Sequence, residues 1–138
     1  MITEDYVSFE IAKLLKEKGF DEPTTGTYHK DGTFEHLSLN KWNSKFIMPI
    51  SAPTHQMAMK WLREVHKLLI SVDASPIYGR VKDEKGRNTC GLLYWHYMAS
   101  GEWMNDKYNP QQKAFVVSEK SYKKAVETAL KYCLENLI

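Results

Sequence analysis

The chain has 138 residues, enough for one hydrophobic core and too few for two ordinary domains, so we expect a single domain over 1–138. Its 43% hydrophobic and 26% charged residues are typical of globular proteins and exclude an intrinsically disordered chain. With 19 basic and 17 acidic side chains, the net charge of +2 gives no strong signal for nucleic-acid or membrane-surface binding.

A first helix is predicted at about residues 4 to 18, with Thr3 as its N-cap. Gly19 favours the left-handed conformation that ends a helix, and Phe20 can fold back onto the last turn. The apolar side chains that recur at helical spacing in this segment are Val7, Ile11, Leu14 and Leu15.

Two strand-like segments follow the first helix, at 24–29 and 33–39. The Asp-Gly pair between them favours the positive φ angles of a tight hairpin turn. An apolar run at 46–50 predicts a third strand, which we place at a sheet edge because Pro49 cannot donate a ladder hydrogen bond.

A second helix is predicted next, with either Ser51 or Thr54 as its N-cap and Pro53 in its first turn. Further strands are predicted at 68–72, 90–99 and 114–117, and a polar connection at 82–88 separates the first two. The expected buried stripe of the second helix comprises Ala58, Trp61, Leu62, Val65 and Leu69.

Ser118 is the predicted N-cap of a final helix, on whose opposite face Glu127 and Lys131 have the spacing of an exposed ion pair. The elements read αβββαβββα. This order indicates an α+β fold with a mostly antiparallel sheet and three helices packed mainly on one face. The apolar face of the final helix carries Tyr122, Val126, Ala129, Cys133 and Leu137.

The N-terminus is acidic at Glu4 and Asp5 and lacks the apolar run of a secretory signal peptide. No stretch has the roughly 18 apolar residues that a transmembrane helix needs. Cys90 and Cys133 are the only cysteines, which favours two reduced thiols over a disulfide framework, with Cys133 as a small buried hydrophobe. We therefore expect a cytoplasmic protein without membrane association.

The histidines do not have the spacing of a metal site. His55 and His66 would lie about 16 Å apart along a helix axis, which is too far for one ion to bind both. His-Glu-x-x-His and Cys-x-x-Cys motifs, glycine-rich phosphate loops and common nucleophile motifs are all missing. His36 and Ser38 form a single His-x-Ser tripeptide without the second copy that a paired acid and base would need. We predict no metal and no other cofactor.

Two clusters are candidate binding sites. Alternation along a strand places Tyr94 and His96 on one face, and Trp103 follows in a polar loop. Such an aromatic face is typical of a partner surface if it is exposed, and of core if both sides of the strand are covered. A basic loop is either a phosphate contact or a solvated turn, and its residues are Arg80, Lys82, Lys85 and Arg87.

Three segments carry a resemblance to known proteins: YVSFEIAKLLKEKGF at 6–20, SAPTHQMAMKWLREVH at 51–66 and AVETALKYCLENLI at 125–138. They resemble small uncharacterised proteins encoded by phages, prophages and mobile elements of gut bacteria. The resemblance implies a mobile-element accessory protein in a bacterial cytoplasm, and it assigns no role to any individual residue.

We therefore predict a non-enzymatic accessory or binding protein, with a protein as the partner class. The lack of every strong catalytic spacing and the aromatic candidate surface support this hypothesis. The alternative is a small hydrolase or nucleotide-binding protein that uses histidine and basic residues brought together only by folding.

Overall fold

The computed structural model describes residues 1–45, 47–82, 84–99, 115–119 and 121–138, and for 75–81, 88–99 and 115–119 it describes the backbone. The predicted α+β class and the order αβββαβββα are confirmed. The elements are α1 (Phe9–Glu17), β1 (Thr24–Tyr28), β2 (Phe34–Lys41), β3 (Ile50–Ala52), α2 (His55–Val65), β4 (Leu69–Lys82), β5 (Asn88–Ala99), β6 (Phe115–Glu119) and α3 (Tyr122–Asn136).

The described strands form two three-stranded antiparallel sheets, with the orders β2-β1-β3 and β4-β5-β6. In the first sheet, Gly26 on the central strand pairs with His36 on β2 and with Ala52 on β3. In the second, Tyr97 on β5 lies between Ser71 on β4 and Val116 on β6.

The first helix begins later than the sequence pattern predicts. Its N-cap is Ser8, so the assignment of Thr3 as the cap and of residues 4–7 as helix is wrong. Those residues instead run beside the segment before α2, where the backbone N–H of Val7 donates to the carbonyl of Pro53 at 3.0 Å. The C-terminal prediction is confirmed, because Gly19 has a φ of 90° and the N–H of Phe20 bonds back to Leu15.

The predicted hairpin of β1 and β2 is confirmed, and Gly32 has a positive φ of 86° in its turn. The third strand was predicted too early at 46–50, since the observed β3 spans Ile50–Ala52. Met48 and Ile47 precede that strand and are exposed. Ser51 and Ala52, the two buried residues of β3 that follow Ile50, are small, so a pattern of large apolar side chains does not find them.

The later elements also have boundaries that differ from the prediction. The N-cap of α2 is Thr54, while Ser51 belongs to β3 and Leu69 belongs to β4. The strand β4 runs on to Lys82, although the prediction ended it at residue 72. The N-cap of α3 is Ser121, so the choice of Ser118, which lies within β6, was wrong.

One hydrophobic cluster unites the three helices with the edges of both sheets. Leu15 of α1, Leu62 of α2 and Leu130 of α3 are fully buried in it. Each such side chain contributes about 1.5–3 kcal/mol relative to an exposed position. Tyr122 and Leu137, predicted on the buried face of α3, are instead partly exposed near its ends. None of the helices that the structure describes is long and apolar enough to cross a bilayer.

Gly26 lies where the N-terminal segment crosses the first sheet, and a side chain has no space there. A Cβ at this position would lie 2.6 Å from the carbonyl oxygen of Ala52 and 2.7 Å from Cδ1 of Tyr6. Gly26→Ala should therefore lower the free energy of unfolding by about 1–3 kcal/mol in urea denaturation. The exposed hairpin control Lys30→Ala should change it by less than about 0.5 kcal/mol. Equal stabilities of the two variants would contradict the close packing.

Candidate functional site

A groove runs along α2 and across the N-terminal segment, and we name it the α2 groove. It consists of three adjoining clefts, which share Met57 at one junction and Glu4 and Thr54 at the other. The clefts have volumes of about 180, 310 and 190 Å³. The outer cleft is lined by Glu22, Met57, Lys60, Trp61, Glu64 and Val65. The inner cleft is lined by Glu4, Asp5, Thr54, His55, Gln56 and Tyr122.

Local backbone contacts hold the N-terminal segment against the start of α2. The Thr54 hydroxyl accepts a hydrogen bond from the N–H of Met57 at 3.3 Å and so caps the helix. The N–H of His55 donates to the carbonyl of Asp5 at 2.9 Å, and Tyr6 forms an isolated antiparallel bridge with Thr54. These contacts place Glu4 and Asp5 beside the first turn of α2.

The floor of the outer cleft is an apolar row at four-residue spacing on α2. Trp61, in the middle of the row, is only 7% exposed and contacts the rings of Phe20 and His66 edge-on. Met57 is 37% exposed and Val65 is 56% exposed, so the prediction that Val65 is buried was wrong. The neighbouring row of Ala58 and Leu62 is fully buried in the core, whereas in the row of Met57, Trp61 and Val65 only Trp61 reaches the core.

Below the inner cleft lies a partly buried polar cluster that connects the three helices. Nε2 of His55 lies 2.7 Å from Oε1 of Glu127. Ser8 donates to the same carboxylate twice, from its backbone N–H to Oε1 at 3.0 Å and from its hydroxyl to Oε2 at 2.8 Å. His55 is 3% exposed, and its Nδ1 has no hydrogen-bond partner among the described atoms.

The pKa of Glu127 is lowered from its usual value of 4.5. Burial alone would raise this pKa, but the hydrogen bonds from His55 and Ser8 outweigh the desolvation. The prediction that Glu127 forms an exposed ion pair with Lys131 is therefore wrong. Glu127 points to His55 and Ser8, and Lys131 instead pairs with Glu10 at 2.9 Å.

The order of groups in this cluster does not suit nucleophilic catalysis. An activated serine needs a general base on its hydroxyl, usually an imidazole. Here the Ser8 hydroxyl donates to Oε2 of Glu127 and accepts from the N–H of Ile11. His55 contacts the other carboxylate oxygen, Oε1, and does not contact the Ser8 hydroxyl. The cluster therefore crosslinks the helices and fixes one wall of the α2 groove.

Ser8→Ala should lower the free energy of unfolding by about 1–2 kcal/mol. It removes the N-cap of α1 and also one donor to the partly buried carboxylate of Glu127. Thr3→Ala is the matched control, since Thr3 is exposed and was the cap expected from the sequence. Chemical denaturation measures both variants, and a larger loss in Thr3→Ala than in Ser8→Ala would contradict the observed helix start.

The predicted aromatic surface falls partly outside the described residues. Tyr94 and His96 lie two residues apart on β5, the central strand of its sheet, so they share one face. Their side chains and Trp103 are not among the groups that the structure describes. The exposure of this surface therefore stays a prediction.

The predicted basic loop is the turn between β4 and β5. Lys82, Lys85 and Arg87 are exposed there, and Gly86 has a positive φ of 74°. Arg80 lies in β4 at the point where the register with β5 shifts. None of these four basic residues lines the described α2 groove.

Other candidates for chemistry lie elsewhere in the fold. Cys133 is buried as predicted, and burial raises the pKa of its thiol to about 12, so it is not a thiolate near neutral pH. His36 lies within 3.2 Å of the Thr25 hydroxyl on the exposed hairpin. Within the described part of the chain, no group of three or more His, Cys, Asp or Glu side chains could hold a metal ion.

Sequence reasoning did not identify the α2 groove. The spacing of Met57, Trp61 and Val65 was visible, but such a row is more often core than surface. Glu4 and Asp5 reach the groove only because the N-terminal segment is extended rather than helical. No family model matches the chain, and no curated protein or solved structure matches it either.

Proposed function

We propose that this chain is a non-enzymatic binding protein that holds a segment of a partner protein in the α2 groove. The observation that carries the proposal is the apolar row on α2, whose Met57 and Val65 are exposed beside the buried Trp61. Exposed apolar side chains around a buried aromatic ring are a common arrangement at protein interfaces.

The shape of the groove favours a chain segment over a compact small ligand. Small-molecule pockets usually have volumes of about 300–1,000 Å³. The middle cleft, at about 310 Å³, lies at the lower limit of that range, and the outer and inner clefts that adjoin it are smaller, at about 180 and 190 Å³. A run of adjoining shallow clefts suits an extended peptide, whose successive side chains can occupy them in turn.

The alternative of a small hydrolase or nucleotide-binding protein receives less support from this site. The Ser8 hydroxyl has no imidazole as its base, and the groove contains more acidic than basic side chains. Phosphate groups would be repelled by those carboxylates. A nucleotide site would thus have to be formed by other residues, such as those of the basic loop.

A peptide selection tests the proposed binding role. Dodecapeptides from a random library are enriched on the immobilised protein, and their affinities are measured by fluorescence anisotropy. In the groove variant, Met57→Gln is combined with Val65→Gln, which replaces apolar contacts without changing charge. We expect this variant to bind enriched peptides at least tenfold more weakly, because the apolar row loses its contact area.

The matched control combines Leu39→Gln with Ile47→Gln. These two side chains are 72% and 87% exposed, and neither lines the α2 groove. The control should keep wild-type affinity. If the groove variant also keeps it, or if no peptide is enriched, the groove is not a peptide-binding site.

We also propose an accessory role in a phage or other mobile element of a gut bacterium. The support is the resemblance of the segments 6–20, 51–66 and 125–138 to small proteins of such elements. An accessory protein that acts by binding needs no catalytic centre, which agrees with the proposed use of the groove.

A further inference from the structure

Acidic side chains lie at both ends of the α2 groove. Glu22 and Glu64 line the outer cleft, and Glu4 and Asp5 line the inner one. Lys60 is the single Lys or Arg among the described lining residues of the three clefts. The chain as a whole has more basic than acidic residues, at 19 against 17. The negative charge is therefore concentrated locally in the groove.

The neighbouring cations neutralise this charge only in part. Lys123 lies 3.8 Å from Asp5, and Lys60 lies 3.9 Å from Glu64, but all four side chains are more than half exposed. Such exposed pairs contribute little to stability and are screened by salt. Glu4 and Glu22 take part in none of the ion pairs described for this chain. Two carboxylates, one at each end, thus remain for a ligand.

Resting on the proposed binding role, we infer that the occupant of the α2 groove is a cationic, extended protein segment. Lys or Arg side chains near its two ends pair with Glu22 and Glu4, and apolar side chains between them contact the row of Met57, Trp61 and Val65. The Arg guanidinium suits such carboxylates because it can donate two parallel hydrogen bonds.

The middle cleft suits the backbone of such a segment. Its lining includes the hydroxyl residues Thr24, Thr25 and Thr54 and the amide of Asn40. Each hydroxyl already has one partner within the fold, and its remaining hydrogen-bonding capacity can serve a peptide backbone. Thr25 lies where the register between β1 and β2 shifts, so no residue of β2 is paired with it in the strand ladder, and its hydroxyl lies 3.2 Å from Nε2 of His36. Polar groups in the centre and carboxylates at both ends define the chemistry of the partner.

The same selected peptides test this inference through charge reversal. The groove variant combines Glu4→Lys with Glu22→Lys, and the control combines Glu17→Lys with Glu135→Lys, two exposed acidic residues outside the described groove. Both variants change the net charge equally. We expect the enriched peptides to contain an excess of Lys and Arg, and we expect the groove variant to bind them at least tenfold more weakly than the control.

The outcomes separate the two proposals. If the peptides lack basic residues and tolerate charge reversal, but still lose affinity in the Met57→Gln and Val65→Gln variant, the groove binds peptides and the cationic inference is wrong. If neither groove variant weakens binding, both proposals fail. If both charge-reversal variants weaken binding equally, the loss of affinity comes from the net charge of the protein and not from the groove carboxylates. The inference that the occupant is cationic is then wrong as well.

Discussion

A chain that ends at Ser118 should show no cooperative thermal transition, because it lacks α3. The buried side chains of this helix belong to the hydrophobic cluster that also contains the buried side chains of α1 and α2, and α3 contacts both helices. Burial of Val126, Leu130 and Leu134 contributes about 1.5–3 kcal/mol for each side chain. Taken together, these contributions are comparable with the roughly 5–15 kcal/mol net stability of a whole domain. Circular dichroism during heating measures the transition.

The control for this truncation is a chain without Met1, Ile2 and Thr3, which are exposed. It should unfold cooperatively, with a melting temperature close to that of the full chain. A cooperative transition in the chain that ends at Ser118 would show that the remaining elements form their own core, and it would contradict the packing described here.

Glu127→Ala should lower the free energy of unfolding by about 2–4 kcal/mol. The substitution leaves the imidazole of His55, which is 3% exposed, without its only described side-chain partner, and it removes the acceptor of two hydrogen bonds from Ser8. A buried polar group that loses its partner costs about 1–3 kcal/mol, and each hydrogen bond to a charged group contributes about 1.5–3 kcal/mol. Glu135→Ala, on the exposed side of the same helix, should cost less than about 0.5 kcal/mol.

The lowered pKa of Glu127 also predicts how stability changes in acid. A carboxyl group whose folded pKa is below its unfolded value stabilises the fold above the unfolded value, here about 4.5. That contribution is lost as the pH falls through the lower, folded pKa. Urea denaturation between about pH 6 and pH 3 should therefore show a smaller loss of stability for Glu127→Gln than for the wild type. Parallel pH profiles would contradict the role of this carboxylate.

Local signals were sufficient to predict most of the fold. The Asp-Gly turn predicted the hairpin, and Gly19 predicted the end of α1, because each depends on the conformation of one or two residues. The start of α1 could not be predicted in this way. Thr3 and Ser8 can both cap a helix, and the choice depends on contacts between the N-terminal segment and Pro53, which lies 45 or more residues away in the chain.

The candidate site could not be predicted from the sequence, because it is formed by contacts between residues that are far apart in the chain. Glu127 and Lys131 have ideal helical spacing, yet Glu127 contacts Ser8 and His55, which are 119 and 72 residues distant in sequence. The exposure of Val65 follows from the side on which α2 meets the core. Periodicity identifies an apolar row, but only tertiary packing decides which of two neighbouring rows is buried.

Methionine-methyl NMR tests the central claim, that the α2 groove binds a protein segment, most directly. The chain has six methionines, so labelling their methyl groups gives a few signals that can be assigned by substitution. Titration with an enriched peptide should shift the Met57 signal in a saturable way, while the signals of Met1 and Met48, which do not line the groove, stay in place. A bound peptide that leaves the Met57 signal unchanged would contradict the proposed function.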